Sequence, residues 1–144
     1  MKSNLKKIEE FIFEHHIFNL ATISSSNEVD ICSVFYVYDV KSKSFLFASD
    51  EKTEHIKNIL KNNQVAGTIV LETKIISKIQ GLQFKGDVVL VEDKDLKDKY
   101  FKSFPYAKLL NPKIWQLNIN YMKFTNNRLG FGKKLIWKLD SINI

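Results

Sequence analysis

The chain has 144 residues, of which 44% are apolar and 26% are charged, values typical of one folded globular domain. No apolar run approaches the ~20 residues of a membrane span, and the N-terminus lacks the apolar region of a signal peptide. The single cysteine excludes internal disulfides, so we expect a cytoplasmic protein. The net charge of +6 comes from lysines spread among acidic residues, which argues against nucleic acid as a partner.

The predicted elements begin with a helix over residues 3–16, where apolar side chains recur with helical spacing and Ser3 or Asn4 can cap the first turn. Residues 17–24 follow as a strand. The segment VDICSVFYVYD is rich in β-branched and aromatic residues, which predicts a second strand. A short polar turn connects it to a third strand, SFLFAS, so these two strands resemble a hairpin.

The remaining chain continues mainly as strands. The predicted elements are a short helix over residues 53–62, a strand QVAGTIVLE, a long strand over 79–91, a helix ended by Pro105, and strands within IWQLNIN and LGFGKKLIWKL. Gly81 and Gly86 lie inside the long strand, where glycine indicates a bend or a close backbone approach. Six or seven strands and three short helices, without a βαβ rhythm, predict one mainly β (α+β) domain over residues 1–144, an antiparallel barrel with peripheral helices.

The segment NNRLGFGKKLIW, residues 126–137, combines two glycines with Arg128 and two lysines, as phosphate-binding loops do. A Walker loop, however, needs a glycine, four residues and then Gly-Lys-Ser/Thr between a strand and a helix. The residues after these lysines resemble a strand instead. The spacing therefore favours a glycine-containing turn between two strands.

The sequence has few residue spacings typical of metal ligands or of catalytic nucleophiles. His15 and His16 are neighbours, so on a helix they would point about 100° apart and could not face one ion together. His55 and Cys32 have no partner at a ligand spacing. We therefore expect no metal site and no Cys-His nucleophile pair.

The segment SDEKTEH, which follows the third predicted strand, resembles an anion site. Ser49 and Thr53 supply hydroxyls and Lys52 supplies a positive charge at a helix start, where free backbone N–H groups favour a phosphate. Simple capping of the helix by Ser49, Asp50 or Thr53 is the alternative. Asp50 and Glu51 would repel a phosphate unless they turn outward.

The order of these elements resembles the pyridoxamine 5′-phosphate oxidase-like split barrels over nearly the whole chain. Two segments are distinctive: GLQFKG in the long strand and KFTNNRLGFGKKLIW near the end. Within that superfamily the chain resembles a small bacterial branch. The resemblance implies a six- to seven-stranded antiparallel split barrel that binds FMN as a homodimer, with two cofactor sites between the subunits. In such folds the second and third strands lie beside the isoalloxazine ring, and groups after the third strand hold the phosphate.

Carried over by position, the resemblance implies a set of cofactor-binding residues: Ser33, Val34, Phe35 and Tyr36 beside the flavin; Ser49, Lys52 and Thr53 at its phosphate; Gln83 and Lys85 near the cofactor; and Asn126, Arg128 and Lys133 in a closing segment that reaches it across the dimer. No residue is identified as catalytic, because the flavin supplies most of the chemistry. The expected function is a flavin-dependent oxidoreductase that acts on a small-molecule substrate with NAD(P)H. The alternative is a module that binds FMN or a deazaflavin without turnover.

The sequence differs in two ways from the patterns of related proteins, and each difference argues against one activity. The vitamin B6 oxidases carry an arginine pair ahead of the phosphate lysine and end in Arg-Leu-Pro, whereas this chain has Glu51 before Lys52 and ends in LDSINI. Pyridoxamine phosphate oxidation is therefore not expected. Related split barrels that degrade haem use a late histidine as ligand, and no histidine follows His55, which argues against that activity.

Overall fold

The computed structural model describes residues 2–139 and contains eight strands and three α-helices in that range. The helices are α1 (Asn4–Glu14), α2 (Glu54–Lys61) and α3 (Lys94–Ser103). The strands are β1 (Ile17–Ile23), β2 (Val29–Phe35), β3 (Val37–Asp39), β4 (Ser44–Ser49), β5 (Gln64–Val70), β6 (Gln80–Leu90), β7 (Lys113–Asn126) and β8 (Lys134–Lys138). None of the helices in residues 2–139 is long and apolar enough to cross a membrane.

The helices begin at residues whose side chains accept a backbone N–H. Ser3 and Thr53 accept the N–H three residues further on, at 3.1 and 3.4 Å, and so cap α1 and α2. The first helix is shorter than the predicted range of 3–16, because His15 takes an extended backbone conformation before β1 begins.

The strands form one antiparallel sheet in the order β2-β1-β5-β6-β7-β4-β3, and β8 pairs with β7. The sheet curls until β2 approaches β4, and the helices lie around it. The predicted fold class, a mainly β antiparallel split barrel with peripheral short helices, is therefore confirmed. Eight strands are present where six or seven were expected, in part because VDICSVFYVYD is divided into β2 and β3 at Tyr36.

The division at Tyr36 has a local cause. Its backbone N–H donates to the carbonyl oxygen of His16 at 2.9 Å, and its hydroxyl donates to the carbonyl oxygen of Ile12 at 2.6 Å. Both acceptors belong to the end of α1 or to the link that follows it. From Val37 onward the chain pairs with β4 instead of β1, so this residue is the point at which the sheet changes partner.

The core is centred on the fully buried rings of Phe18, Phe45 and Phe84, whose centroids lie 4.8–5.5 Å apart. Gly67 makes room for this cluster, since a Cβ there would overlap the ring of Phe84. At one end of the barrel α1 packs against β8, so the first helix contacts the last described strand.

The long pairing of β6 with β7 contains a bulge. Lys85 pairs with Tyr121, and the next residue, Gly86, pairs with Ile119. A Cβ at Gly86 would overlap the carbonyl oxygen of Asn118, so the predicted close backbone approach is found here. Gly81 differs, because the atom nearest to a Cβ at that position would be 3.9 Å away.

Replacement of Gly86 by alanine should lower the free energy of unfolding by about 1–3 kcal/mol, because the added methyl group forces the β6 and β7 backbones apart. Urea unfolding followed by circular dichroism measures this loss. Gly81→Ala is the matched control on the same strand and should change the free energy by no more than about 0.5 kcal/mol. Equal losses in both variants would contradict the overlap at Gly86.

Candidate functional site

A row of polar side chains crosses the outer face of five strands. The strand pairing places these residues side by side, one from each of β2, β1, β5, β6 and β7: Ser33, Asn19, Thr68, Gln83 and Lys123. The Ser33 hydroxyl donates to Asn19 Oδ1 at 2.8 Å, and Asn19 Nδ2 donates to Thr68 Oγ1 at 3.2 Å. We call these five residues the polar row.

A cavity of about 380 Å³ opens on this face, beside the polar row. Its lining includes Gln83 and Lys85, which were both predicted to lie near a cofactor, and Tyr121, whose ring centroid is 5.6 Å from Lys85 Nζ. Ser33, at the edge of the same face, joins the polar row through its bond to Asn19. The fold thus brings three of the predicted residues, Ser33, Gln83 and Lys85, to one surface.

The same face also exposes large apolar side chains. Val29 and Ile31 on β2 are 72% and 74% exposed, and Val70 on β5 is 59% exposed. The register places Val29 and Ile31 on one side of the polar row and Val70 on the other. The outer face therefore combines a polar row with an apolar surround.

A second group of polar side chains lies where β4 ends and α2 begins. Ser49 Oγ is 2.6 Å from His55 Nε2, and Thr53 Oγ1 is 3.3 Å from each of these two atoms. Trp115 Nε1 donates to the carbonyl oxygen of Ser49 at 3.0 Å and fixes the end of the strand. We call Ser49, Thr53 and His55 the helix-start cluster.

His55 was not among the predicted site residues. Burial lowers the pKa of its imidazole, so the ring is mainly neutral at neutral pH. A bound phosphate would favour the protonated form, because an opposite charge nearby stabilises the imidazolium. The available signal was the position of this histidine, in the first turn of α2 and two residues after the cap Thr53.

Both acidic residues beside this cluster have partners within the chain. Asp50 accepts the backbone N–H of Lys52 at 2.8 Å, and Glu51 forms an ion pair with Lys113 at 2.6 Å. The side chain of Lys52 is exposed beside them. The expected repulsion by Glu51 is therefore reduced by an adjacent cation.

The predicted residues on and after β2 point in different directions. Val34 is half-buried and packs against the core, and Tyr36 is buried with its hydroxyl on Ile12. Phe35 is 52% exposed and lies 5.2 Å, centroid to centroid, from the ring of Phe104. Of these residues, Phe35 and Ser33 have side chains that a ligand could reach.

The segment NNRLGFGKKLIW forms the turn between β7 and β8, as its spacing predicted. Asn126 accepts the backbone N–H of Arg128 at 2.9 Å, and its own N–H donates to the carbonyl oxygen of Lys133 at 2.9 Å. Gly132 has a φ of 70°, a left-handed conformation that favours glycine. The side chain of Asn127 accepts the N–H of Gly132 at 3.0 Å and donates to the carbonyl oxygen of Ile76 at 2.8 Å, and Arg128 and Lys133 are exposed.

This turn is far from the helix-start cluster within one chain. Ser49 pairs with Lys113 at the first residue of β7, whereas Asn126 is the last residue of that strand, thirteen positions away. At ~3.3 Å per residue the path along the strand is about 40 Å. The fold therefore does not bring the predicted residues at the two ends of β7 together within one chain.

The sequence matches known proteins over most of its length. A family model described as pyridoxamine 5′-phosphate oxidase matches residues 5–125. A UPF0306 protein of Photorhabdus laumondii is 36% identical over 138 residues, which cover 94% of this chain and 96% of the relative.

Solved structures with a similar fold include two proteins described by their relation to haem. The heme binding protein of Mycobacterium smegmatis has a TM-score of 0.80 at 14% identity, over 96% of this chain and 59% of that chain. The heme storage protein of Vibrio cholerae has a TM-score of 0.64 at 14% identity, over 79% of this chain and 88% of that chain. At such low identity these likenesses show a shared fold.

Proposed function

Because the chain belongs to the pyridoxamine 5′-phosphate oxidase family, in which it groups with UPF0306 proteins, we propose that it binds FMN and acts as a flavin-dependent oxidoreductase. The reductant is NAD(P)H and the substrate is a small molecule. The observation that carries the proposal is the helix-start cluster, which gathers two hydroxyls and an imidazole at the first turn of α2.

The cluster has the chemistry that a phosphate monoester needs. Ser49 can donate a hydroxyl hydrogen bond, and His55 becomes a charged donor once an anion approaches. The Thr53 hydroxyl already donates to the carbonyl oxygen of Asp50 at 2.8 Å and so holds the turn before the helix. The backbone N–H groups at the start of α2 add positive potential. Lys52 lies in the same turn with an exposed ammonium group that can move towards the phosphate.

The separation along β7 supports a dimeric site. Since one chain cannot place Arg128 or Lys133 beside Ser49, these residues serve the flavin only if a second copy supplies them. The outer face provides a surface for such pairing, because its exposed apolar side chains surround the polar row. A two-fold homodimer would bury this face on both copies.

The flavin supplies the redox chemistry when it is bound. In this proposal the protein holds the phosphate, covers the ring and excludes water. Gln83 and Lys85 set the polarity of the outer-face cavity, and Ser33 is held in position by its bond to Asn19. None of these residues needs to act as a general base.

Two other functions compete with this proposal. The first is a module that binds FMN or a deazaflavin without turnover. The second is haem binding, which is favoured by the description of two structural neighbours as heme-binding and heme storage proteins. The histidines available as an iron ligand among residues 2–139 are His15, His16 and His55.

The first test is the visible spectrum of the purified protein, followed by NAD(P)H oxidation after FMN is added. We expect flavin absorbance near the usual bands of FMN and turnover that depends on the flavin. Bound flavin without oxidation of either nicotinamide cofactor would indicate the binding module. A Soret band on addition of hemin, with no retention of flavin, would contradict the proposal in favour of haem.

The second test concerns the phosphate. Lys52→Ala should weaken FMN binding about ten- to a hundredfold, because it removes a charge-assisted contact of about 1.5–3 kcal/mol. Riboflavin, which lacks the phosphate, should bind both proteins alike, as measured by quenching of flavin fluorescence. Lys57→Ala, an exposed lysine further along α2, is the control and should leave FMN affinity unchanged. FMN affinity that survives in Lys52→Ala would place the phosphate elsewhere.

The third test concerns the dimer. Light scattering of the wild type at micromolar concentration should give about twice the chain mass of 16.8 kDa. Ile31→Glu places a charge within the exposed apolar surface and should produce monomers, whereas Val40→Glu, outside that face, should not. A wild type that remains at 16.8 kDa would refute the dimer.

A further inference from the structure

A larger cavity lies on another side of the molecule, between the end of α1, the division of β2 from β3, and α3. Its volume is about 740 Å³, within the range of small-molecule sites. Its lining includes His15 and His16, the two residues that link α1 to β1, and Lys99 and Lys102 of α3.

The walls of this cavity are aromatic. The ring centroids of Phe35 and Phe104 lie 5.2 Å apart, and the rings of Phe13 and Tyr38 pack in a T-shaped arrangement with centroids 5.6 Å apart. Phe13 and Phe35 are 55% and 52% exposed, although both belong to the most apolar class of side chain. Exposed aromatic faces around a concave surface favour a planar aromatic ligand, which can pack between them.

His15 lines the cavity, and one hydrogen bond defines which of its ring nitrogens carries the proton. Its Nδ1 lies 2.9 Å from the carbonyl oxygen of Phe11, and since a carbonyl can only accept, Nδ1 carries the proton. In the neutral ring Nε2 then has a lone pair. Within residues 2–139 no protein group is hydrogen-bonded to that atom, so it can accept a hydrogen bond from a ligand.

The cavity also has a surplus positive charge. Lys99 is 2.6 Å from Asp39 Oδ1, and this pair is close to neutral. Lys102 is exposed and forms no ion pair with any acidic residue in the part of the chain that the structure describes. An anionic group on a ligand would therefore have Lys102 as its partner.

We propose that this cavity binds a planar aromatic acid that carries a hydroxyl group. The ring packs among Phe13, Phe35 and Phe104, the carboxylate pairs with Lys102, and the hydroxyl donates to His15 Nε2. The binding itself does not need a flavin. That such an acid is the substrate rests on the proposed function, because Phe35 is also one of the residues expected beside the flavin ring.

Three matched probes test the assignment: 6-hydroxy-2-naphthoate, 2-naphthoate without the hydroxyl, and 6-hydroxy-2-naphthamide without the charge. Titration by fluorescence should show that the hydroxy acid binds at least about threefold more tightly than either analogue, in line with one hydrogen bond and one exposed ion pair. Lys102→Gln should remove the preference for the acid over the amide. His15→Phe should remove the preference for the hydroxylated acid over 2-naphthoate.

Lys94→Gln, at the outer end of α3, is the control and should keep both preferences, because Lys94 does not line the cavity. If His15→Phe fails to fold, the ¹⁵N resonances of the His15 imidazole in the wild type provide the same test, since the hydroxy acid should shift them. Any one of three outcomes would overturn the assignment: equal affinities for the three probes, no binding at millimolar concentration, or resonance shifts confined to another part of the protein. FMN titrations of the same preparations distinguish failure of this assignment from failure of the proposed function, because they test flavin binding separately.

Discussion

The contact between the ring of Phe84 and the backbone of Gly67 determines how the central strands align. A side chain at Gly67 would occupy the volume of that ring, so this pair of residues fits in one register of β5 against β6. A shift by one residue would turn every side chain of a strand to the other face. The polar row depends on this alignment, because Thr68 and Gln83 are the next pair along the same two strands. Phe84 also contacts Phe18 and Phe45, which ties the register to the core.

The candidate binding groups lie in three separate regions, and the fold of one chain does not bring these regions together. The outer sheet face carries the polar row and an apolar surround, whereas the helix-start cluster lies at the far end of β7 from the β7–β8 turn. The aromatic cavity between α1 and α3 is a third region, and it touches β2 through Phe35. In the function proposed above, the flavin would supply the redox chemistry, and binding and orientation would be the main tasks of the side chains in these regions.

Much of the fold follows from local patterns in the sequence. The caps Ser3 and Thr53, the alternation of the strands and the glycine turn after Asn126 are short-range features, and the structure has each of them. The arrangement of the candidate site was harder to predict from the sequence. His55 joins Ser49 only because β4 and α2 meet at that angle, and Asn19 meets Thr68 only through strand pairing. The division of the second strand at Tyr36 was also missed, since its cause is a pair of hydrogen bonds to Ile12 and His16, at least twenty residues away along the chain.

The packing of α1 against β8 has a consequence for how the protein is made. The first helix leaves the ribosome long before β8 is synthesised. More than a hundred further residues must therefore be synthesised before the helix can pack against β8. The pairing of β4 with β7 is similarly distant along the chain. Sheets with so many non-local contacts fold slowly, because loop closure must precede the contacts that compensate for it. Closure of this barrel therefore has to follow the synthesis of β8, and a nascent chain that lacks β8 exposes the part of α1 that this strand would otherwise cover.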